Sequence, residues 1–403
     1  MGKRNPIMLE DAQAHLDKME FCLKTERIRA EEALGRVCAQ DIRAQMDQPP
    51  FPRSPLDGYA VRSRDISEAS GESPVKLKVI EHIYAGMFPS RCIQAGEAAR
   101  IMTGAPIPEG ADCIIMQEKT DEGEERVEIY DSVPAFGNYC FKGEDTETGA
   151  FLFGQGMELK AAHIGILFSQ GIREIEVYRR PVIGIMATGD ELTEADKKLL
   201  PGKIYDSNGP LLTARIKELG MEPRLFSQGQ DNEYVLAERV GAALKECDVL
   251  ITSGGVSVGA RDCMPETAQI LGAHILFHGI NIRPGSPMMV MTAGGKPVFC
   301  LSGNPFAAAA TFEVLVRPVL ERMRGRSDWK PEIYKGILET PFPKPSPLRR
   351  LVRAKIEDGR IWLPEGKHSS GMLVSMAQCN CLVDIPAGSQ KLEAGAMVSV
   401  IRM

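Results

Sequence analysis

Short apolar runs alternate with amphipathic segments in the second half of the chain. Apolar runs near 181–187, 222–226, 249–253 and 296–301 have the length and composition of buried strands. Segments with helical spacing of apolar residues follow them, at 207–219, 231–246 and 305–323. Strands that alternate with helices predict a parallel, doubly wound sheet.

Two of these helices carry recognisable end signals. Ser207 or Asn208 is placed to act as an N-cap, and Gly220 is placed as the C′ residue of the same helix. Asn304 is placed to cap the last helix, and Pro305 suits its first turn. The caps predict where each strand–loop–helix connection ends.

The first half of the chain has a different pattern. Residues 9–23 have the apolar spacing of an amphipathic helix, and the polar residues 25–45 indicate an extended connector. Four prolines within 48–63 favour a rigid loop. Short alternating runs in 75–130 predict a small β-barrel or sandwich. A helix is expected near residues 160–170, with Gly171 at its C-terminal end.

Loops with acidic and glycine residues follow the strands of the predicted sheet. In such sheets ligands bind beyond the carboxyl ends of the strands, so these loops should converge on one site. Glu191, Asp231 and Asp262 would bring three carboxylates there, which predicts a phosphorylated ligand that shares a metal ion. The loops are TGDEL (188–192), QGQD (228–231), SGGVSVGARD (253–262) and SGNP (302–305).

The glycines of the 253–262 loop allow close approach of the backbone to a ligand. Gly254, Gly255 and Gly259 have no Cβ to prevent it. The loop matches neither the Walker A pattern nor the Gly-x-Gly-x-x-Gly dinucleotide motif. Alone, it is equally typical of an ordinary turn, and the neighbouring acids are what favour a binding site.

Composition limits the class of protein. The chain has 403 residues, is 43% hydrophobic and 25% charged, and carries a formal net charge of −6. These values predict a multidomain globular protein and disfavour a nucleic-acid binder that relies on a basic face. No apolar run approaches the ~20 residues of a membrane span, and acids occur early in the N-terminal segment. We therefore expect a cytoplasmic protein with no membrane association.

Ten cysteines are scattered through the chain without a disulfide framework, which favours reduced thiols. Cys379 and Cys381 supply only half of a zinc site, so ordinary burial is favoured over metal binding. Near the C-terminus, where residues 332–403 predict short strands, LRRLVRAK places Arg349, Arg350 and Arg353 close together. They could clamp a phosphate or a sulfur–oxygen anion, or they could form a solvated strand face.

Seven motifs occur in an order that resembles one enzyme family. They are SPLDGYAVR, IMTGAPIPEGAD, TGDEL, SNGPLL, SGGVSVG followed by RD, RPG-P, and LSGNP. This set resembles the molybdopterin molybdenumtransferases, the MoeA group that includes the gephyrin E domain, over essentially the whole chain. The related Mog/MoaB-type adenylyltransferases share only the 181–325 domain.

The resemblance implies an α/β multidomain fold. A doubly wound MogA-like domain would accompany a β-rich second domain, an elongated helical/β N-terminal domain and a small C-terminal β-barrel. Family members are homodimers whose active cleft lies between the doubly wound domain of one subunit and the β-rich domain of the other. The implied boundaries are 1–46 with 147–178, 47–146, 179–326 and 327–403.

The resemblance also implies the reaction. Such enzymes insert molybdate into the dithiolene of adenylylated molybdopterin and release AMP, with Mg²⁺ or another divalent cation assisting. A contact with the adenylyltransferase that makes the substrate is a further expectation. The alternatives are an adenylyltransferase, a tungstate-preferring insertase, or a binding protein that kept the fold.

Carried over by motif, the family's functional residues fall into three groups. The catalytic acids would be Asp57, Asp145, Glu191 and Asp262. The cation would be held by Glu191, Asp231 and Asp262. Substrate binding would involve Thr103, Ser253, Gly254, Gly255, Ser257, Gly259, Arg283, Ser302, Gly303, Asn304, Arg350 and Ser370.

One departure from the family pattern lies in the RPG-P motif. Where many relatives have Lys-Pro-Gly-Lys-Pro, this chain has Arg283 and Ser286 in place of the two lysines. Arg283 keeps the positive charge as a planar fork, whereas Ser286 removes a cation. The change bears on the preference between molybdate and tungstate more than on the class of reaction.

Overall fold

The computed structural model describes residues 5–227, 232–256, 263–366 and 369–403. Its residues divide into two compact units. The first unit comprises Met1–Gln40, Gln155–Ile164 and Glu174–Met403, and the second comprises Asp41–Gly154 and Gly165–Arg173.

Helices and strands follow one another in the described residues as follows. The α-helices are α1 (Leu9–Asp17), α2 (Ala161–Ser169), α3 (Asn208–Glu218), α4 (Glu233–Glu246), α5 (Met264–Ile270), α6 (Pro305–Thr311) and α7 (Arg317–Met323), with a π-helical segment, Phe312–Val316, between the last two. The strands are β1 (Thr25–Arg29), β2 (Ile42–Arg43), β3 (Gly58–Val61), β4 (Val75–Ile83), β5 (Glu97–Ile101), β6 (Cys113–Met116), β7 (Arg126–Ile129), β8 (Phe151–Phe153), β9 (Glu174–Tyr178), β10 (Val182–Ala187), β11 (Leu192–Thr193), β12 (Ile204–Tyr205), β13 (Glu222–Leu225), β14 (Val249–Ser253), β15 (His274–His278), β16 (Ile282–Arg283), β17 (Met289–Ala293), β18 (Lys296–Leu301), β19 (Ile333–Leu338), β20 (Arg349–Glu357), β21 (Arg360–Trp362), β22 (Cys381–Ile385) and β23 (Met397–Arg402).

A six-stranded sheet forms the centre of the first unit, in the order β13-β10-β14-β18-β17-β15. Its first four strands are parallel, and β17 runs antiparallel to both of its neighbours. Successive side chains of β14 point to opposite faces of the sheet and pack into two hydrophobic cores. Val249 and Ile251 pack with α3, α6 and α7, while Leu250 packs with α4 and α5. The predicted doubly wound domain is therefore confirmed.

The register of this sheet places three loops at one edge. Ala187 at the end of β10 lies opposite Ser253 at the end of β14, and Ser253 lies opposite Leu301 at the end of β18. The TGDEL, SGG and SGNP loops leave the sheet directly after these residues. The sheet therefore brings the predicted loops together, as expected of parallel strands.

The C-terminal residues of the first unit form a closed five-stranded barrel. The strands follow the order β20-β21-β19-β23-β22, and β22 pairs again with β20. Its core contains Val352, Ala354 and Val383. The short strand β16 runs parallel to β20 and aligns Arg283 with Arg350. The predicted barrel is confirmed, and β16 connects it to the RPG-P motif.

The second unit is built on a five-stranded sheet with the order β6-β3-β5-β4-β7. Tyr59 and Val61 of β3 pack into one core, and Ala60 packs into a second core on the other face. The β-rich module predicted from residues 75–130 is thus present. Gly58 is required by packing, because an added Cβ would lie 2.0 Å from the carbonyl oxygen of Ile115.

Several predicted helix ends differ from the structure. The first helix ends at Asp17 instead of near residue 23. The side chain of Ser207 makes no capping hydrogen bond, and Asp206 accepts one from the backbone N–H of Gly209 instead. Asn304 occupies the N-cap position of α6 without a side-chain capping bond. Here the local spacing predicted the position, but a different contact satisfies the backbone.

Other predicted ends agree with the structure. Gly220 and Gly171 adopt φ values of +71° and +70°, as C′ residues do. Pro305 is the first residue of α6. The polar connector at 25–45 contains β1 and β2, which pair with β9 and β8. Connector residues that look solvated therefore extend two small sheets.

All ten cysteines are free of disulfide bonds, as the scattered spacing predicts. The thiol of Cys381 is buried and contacts the carbonyl of Ala354, and that of Cys379 contacts the carbonyl of Ser375. Within the described residues, no helix is both long and apolar enough to cross a bilayer.

Candidate functional site

Two cavities lie at the carboxyl edge of the central sheet. The arginine cavity, of about 330 Å³, is lined by Arg283, Arg350 and Arg353 together with Ser302, Phe306 and Ser370. The carboxylate cavity, of about 340 Å³, is lined by Glu191 and Asp206 together with Asn208, Ser253 and Gly303. Asn304 lines both cavities, so the turn at residues 302–304 separates them. We call it the shared turn.

The arginine cavity is strongly cationic. Arg350 stacks over Phe342 and donates from Nε to Ser346, whereas Arg353 stacks over the ring of Phe306 at 4.5 Å. Across the described ranges of the chain, no carboxylate forms an ion pair with Arg283, Arg350 or Arg353. Three guanidinium groups without acidic partners make this cavity suited to an oxyanion.

Burial acts against the charge of two of these groups. It lowers the pKa of Arg350, and the neighbouring Arg283 lowers that pKa further. Burial also lowers the pKa of Arg353. A bound anion would reverse both effects, because an opposite charge nearby favours the protonated guanidinium. The solvated strand face considered for LRRLVRAK is wrong for Arg353, which is fully buried.

Glu191 and Asp206 give the carboxylate cavity the opposite character. The Glu191 side chain is exposed, and its carboxylate folds back over Gly189, where an added Cβ would lie 2.6 Å from Oε2. Asp206 uses one oxygen to cap α3. Carboxylate oxygens of this kind are ligands that Mg²⁺ accepts. This cavity is therefore better suited to a phosphate together with a cation than to an oxyanion alone.

The shared turn is held by a residue that the sequence did not single out as functional. Asn208 donates from Nδ2 to Ser253 Oγ at 2.6 Å and to the carbonyl of Gly303 at 2.9 Å. Ser253 Oγ in turn donates to the carbonyl of Ser302 at 3.3 Å. The only signal in the sequence was the SNGPLL motif, where Asn208 was considered as a helix cap.

The glycines of the shared turn and its neighbour have different physical roles. Gly254 has φ +102°, and a Cβ there would lie 2.2 Å from the carbonyl oxygen of Thr188. Its N–H donates to the carbonyl of Leu301. Gly254 is thus required by the fold itself. Gly303, by contrast, is exposed, and the nearest atom to an added Cβ is the Gly254 Cα at 3.6 Å.

In the second unit, Asp57 and Thr103 lie together. The backbone N–H and the hydroxyl of Thr103 both donate to Asp57 Oδ1, and they lower the pKa of that carboxyl. The third predicted residue of this unit, Asp145, is exposed in the 141–148 loop. Asp47 anchors that loop by accepting hydrogen bonds from the N–H and the hydroxyl of Thr148.

Several predicted site residues cannot be placed. Asp231, Ser257, Gly259 and Asp262 lie outside the described residues. Of the predicted cation ligands only Glu191 is described. Among the side chains that the structure does describe, no group of three or more His, Cys, Asp and Glu residues could hold a metal ion. The predicted three-carboxylate site is therefore a proposal.

Known proteins match this chain over nearly its whole length. Residues 7–171 match the MoeA N-terminal region (domains I and II), residues 184–322 a probable molybdopterin-binding domain, and residues 335–403 the MoeA C-terminal region (domain IV). The molybdopterin molybdenumtransferase of Staphylococcus epidermidis is 39% identical over 402 residues, which is 99% of this chain and 96% of the relative. That of Staphylococcus aureus strain MRSA252 is 38% identical over the same shares.

Solved structures agree with these sequence matches. The molybdopterin biosynthesis MoeA protein of Pyrococcus horikosii aligns with a TM-score of 0.86 at 33% identity, covering 99% of both chains. The doubly wound domain, the β-rich unit and the barrel together define a MoeA-type protein of molybdenum cofactor biosynthesis. The chain belongs to the molybdopterin molybdenumtransferase family and is a transferase. The predicted family, fold class and enzyme class are confirmed.

Proposed function

We propose that this protein inserts molybdate into adenylylated molybdopterin and releases AMP. The observation that carries the proposal is the pair of adjacent cavities, one lined by unpaired arginines and the other by carboxylates. An oxyanion needs cationic surroundings, whereas a phosphorylated pterin with a bound cation needs carboxylates. The arginine cavity and the carboxylate cavity supply the two, on either side of the shared turn. A site for nucleotide alone would not require the arginine cavity.

The oxyanion would occupy the arginine cavity. Arg283 and Arg350 supply planar donor groups that match the oxygens of a tetrahedral dianion. Ser302 and Ser370 line the same space with hydroxyl groups. Because Ser286 also lines it in place of a second cation, a preference for tungstate is a variant of this proposal that the same assay can detect.

The phosphate link of the substrate would lie in the carboxylate cavity. Glu191 is the described residue that would hold Mg²⁺ there, together with Asp231 and Asp262. Mg²⁺ would neutralise charge on the phosphate oxygens as the link to AMP breaks. Ser253 and the exposed backbone of Gly303 would bind and orient the phosphate, and the carboxylates would keep molybdate out of this cavity by repulsion.

Asp57 and Asp145 would act on water. Asp57 is ionised at neutral pH, as a proton acceptor must be, and the hydrogen bonds from Thr103 lower its pKa further. We assign Asp57 to water activation in adenylate hydrolysis, with Asp145 supporting it. A homodimer, a cytoplasmic location and contact with the adenylyltransferase complete the proposal, on the strength of the family resemblance.

AMP release from adenylylated molybdopterin tests this function. Reactions contain Mg²⁺ and either molybdate, tungstate or neither oxyanion. Release stimulated by molybdate supports the proposal, and stimulation by tungstate alone would assign the other metal. If neither oxyanion changes AMP release and the protein forms pyrophosphate from ATP and molybdopterin, the protein is an adenylyltransferase instead.

A further inference from the structure

Arg353 is a buried guanidinium without an acidic partner. Its relative exposure is 0%, and it lines the arginine cavity from the middle of β20. Both terminal nitrogens donate to one carbonyl, that of Ser369, at 3.3 and 3.2 Å. Its Nε is buried without a hydrogen-bond partner in the described part of the chain. The side chain is therefore only partly satisfied by the protein.

Other buried arginines in the described residues are paired differently. Arg36 forms an ion pair with Glu26, and Arg324 forms ion pairs with Glu158 and Glu321. The half-buried Arg349, four positions before Arg353 in the same strand, is also paired, with Asp384. The fold thus neutralises its buried guanidinium groups elsewhere. An uncompensated one is costly, because burial removes water without replacing its stabilisation of the charge.

Arg353 also contacts the segment that carries Ser370. It holds the carbonyl of Ser369, while the N–H of Phe306 donates to the carbonyl of Ser370 at 3.0 Å. The Arg353 guanidinium stacks on the ring of the same Phe306. Arg353 therefore lies between α6 and the Ser369–Ser370 backbone, beside Phe306 and Ser370, which line the arginine cavity with it.

We propose that Arg353 is an anion-binding residue whose charge the protein leaves uncompensated so that the substrate oxyanion compensates it. This inference rests on the proposed function and assigns Arg353, which the sequence left open between an anion clamp and a solvated strand face, to the same site as Arg283 and Arg350. Arg353 would raise the affinity for a tetrahedral dianion and hold Ser370 at the cavity. The cost of its burial is then recovered when the anion binds.

Thermal unfolding with and without oxyanion tests this role. The proteins are the wild type, R353M and the matched control R349M, with molybdate or sulfate compared with NaCl at equal ionic strength. R353M should unfold without oxyanion at the wild-type temperature or higher, because the exposed Ser369 carbonyl can bind water. Its molybdate affinity should fall about tenfold or more, since bonds to charged groups are the strong ones.

The control should behave in the opposite way. R349M loses its pair with Asp384, so it should unfold at a lower temperature yet keep the full oxyanion-dependent shift. A purely structural Arg353 would make R353M resemble R349M, and that result would overturn the inference. If the unfolding temperature of the wild type does not change with oxyanion, the proposed oxyanion site itself is wrong. That result would contradict the proposed function, and the role of Arg353 with it.

R353K keeps the test decisive if R353M does not fold. Lysine retains the charge but cannot make the planar contact with Phe306. It should keep most of the oxyanion-dependent shift in unfolding temperature. A folded R353K that has lost the shift entirely would show that shape matters instead of charge, and would contradict the proposal.

Discussion

Thr103 donates two hydrogen bonds to a single carboxylate oxygen of Asp57, one from its backbone N–H and one from its hydroxyl, each of 2.7 Å. Both bonds favour the ionised carboxyl and lower the pKa of Asp57, with the hydroxyl contributing most. The two residues lie 46 positions apart in sequence, in motifs that the family resemblance places in the same active site. Their contact favours the ionised form of the predicted acid.

Replacing Thr103 with valine should raise the pKa of Asp57. Valine keeps the backbone donor and the shape of the side chain but removes the hydroxyl bond. Because the carboxylate is then less stabilised, the acidic limb of the pH dependence of kcat/KM should move to higher pH. The pKa itself can be followed through the Asp57 carboxyl resonance by NMR. T103S retains both donors and should leave the limb in place.

Asn208 should position the shared turn. In N208A, the buried hydroxyl of Ser253 loses a donor, at a cost of about 1–3 kcal/mol, and the carbonyl of the exposed Gly303 loses its bond to Asn208. We expect lower stability and a fall of about tenfold or more in kcat/KM, corresponding to at least ~1.4 kcal/mol in the barrier. Urea unfolding and AMP release measure the two effects.

Asn380 provides the matched control for Asn208. Its side chain also makes two bonds, accepting from the N–H of Ile356 and donating to its carbonyl, but Asn380 directly precedes β22 of the barrel and lines neither cavity. N380A should therefore lose stability without a matching loss of kcat/KM. Equal losses of activity in both variants would mean that Asn208 acts only through global stability.

Gly254 and Gly303 should respond differently to alanine. G254A forces a positive φ on a residue with a Cβ and drives that atom against Thr188, so it should destabilise the protein by at least about 1–3 kcal/mol. G303A meets only ordinary contacts and should change stability by less than about 0.5 kcal/mol. If phosphate approaches the backbone at Gly303, G303A should nevertheless raise KM. An unchanged KM would remove Gly303 from the binding site.

Asp47 should make stability depend on pH. Hydrogen bonds from Thr148, followed by Lys142, lower the pKa of Asp47 to about 2, from an ordinary value of 3.8. A lowered carboxyl pKa adds stability above the unfolded-state value, and this is lost as pH falls through the folded value. The difference in the free energy of unfolding between wild type and D47N should therefore be largest near pH 6. It should decrease progressively from about pH 4 toward pH 2.

Lys142 separates the two sources of that effect. K142M removes the ion pair but keeps both bonds from Thr148, which are the larger causes. It should therefore preserve most of the pH dependence. If the difference in the free energy of unfolding between wild type and D47N does not change with pH over this range, the Thr148 contacts do not persist in solution.

The sequence was most informative where the spacing of apolar residues and the sequence motifs indicate the same element. The apolar runs around Ile183, Val249 and Phe299 predicted buried strands of a parallel sheet, and the structure makes these strands neighbours whose register brings their loops together. Arg283 and Arg350 came from motif resemblance, and the alignment of β16 with β20 places them side by side. Such features depend on local pattern, which a single sequence contains.

Features set by long-range packing could not be read in the same way. Arg353 looked like one of three equivalent arginines until its burial and the missing carboxylate distinguished it from Arg349. Asn208 was interpreted as a cap, but its bonds reach 45 and 95 residues along the chain. Gly254 was attributed to ligand approach, although the carbonyl of Thr188 is what excludes a Cβ.

The central claim is that the two cavities carry out one coupled reaction, metal insertion together with adenylate release. The most direct test counts molybdenum bound to the pterin product against AMP released, in single-turnover reactions of wild type and R350M with Mg²⁺ and molybdate. We predict one molybdenum per AMP in the wild type, and a loss of both products in R350M at limiting molybdate. AMP released from the wild type without molybdenum in the pterin would contradict the account.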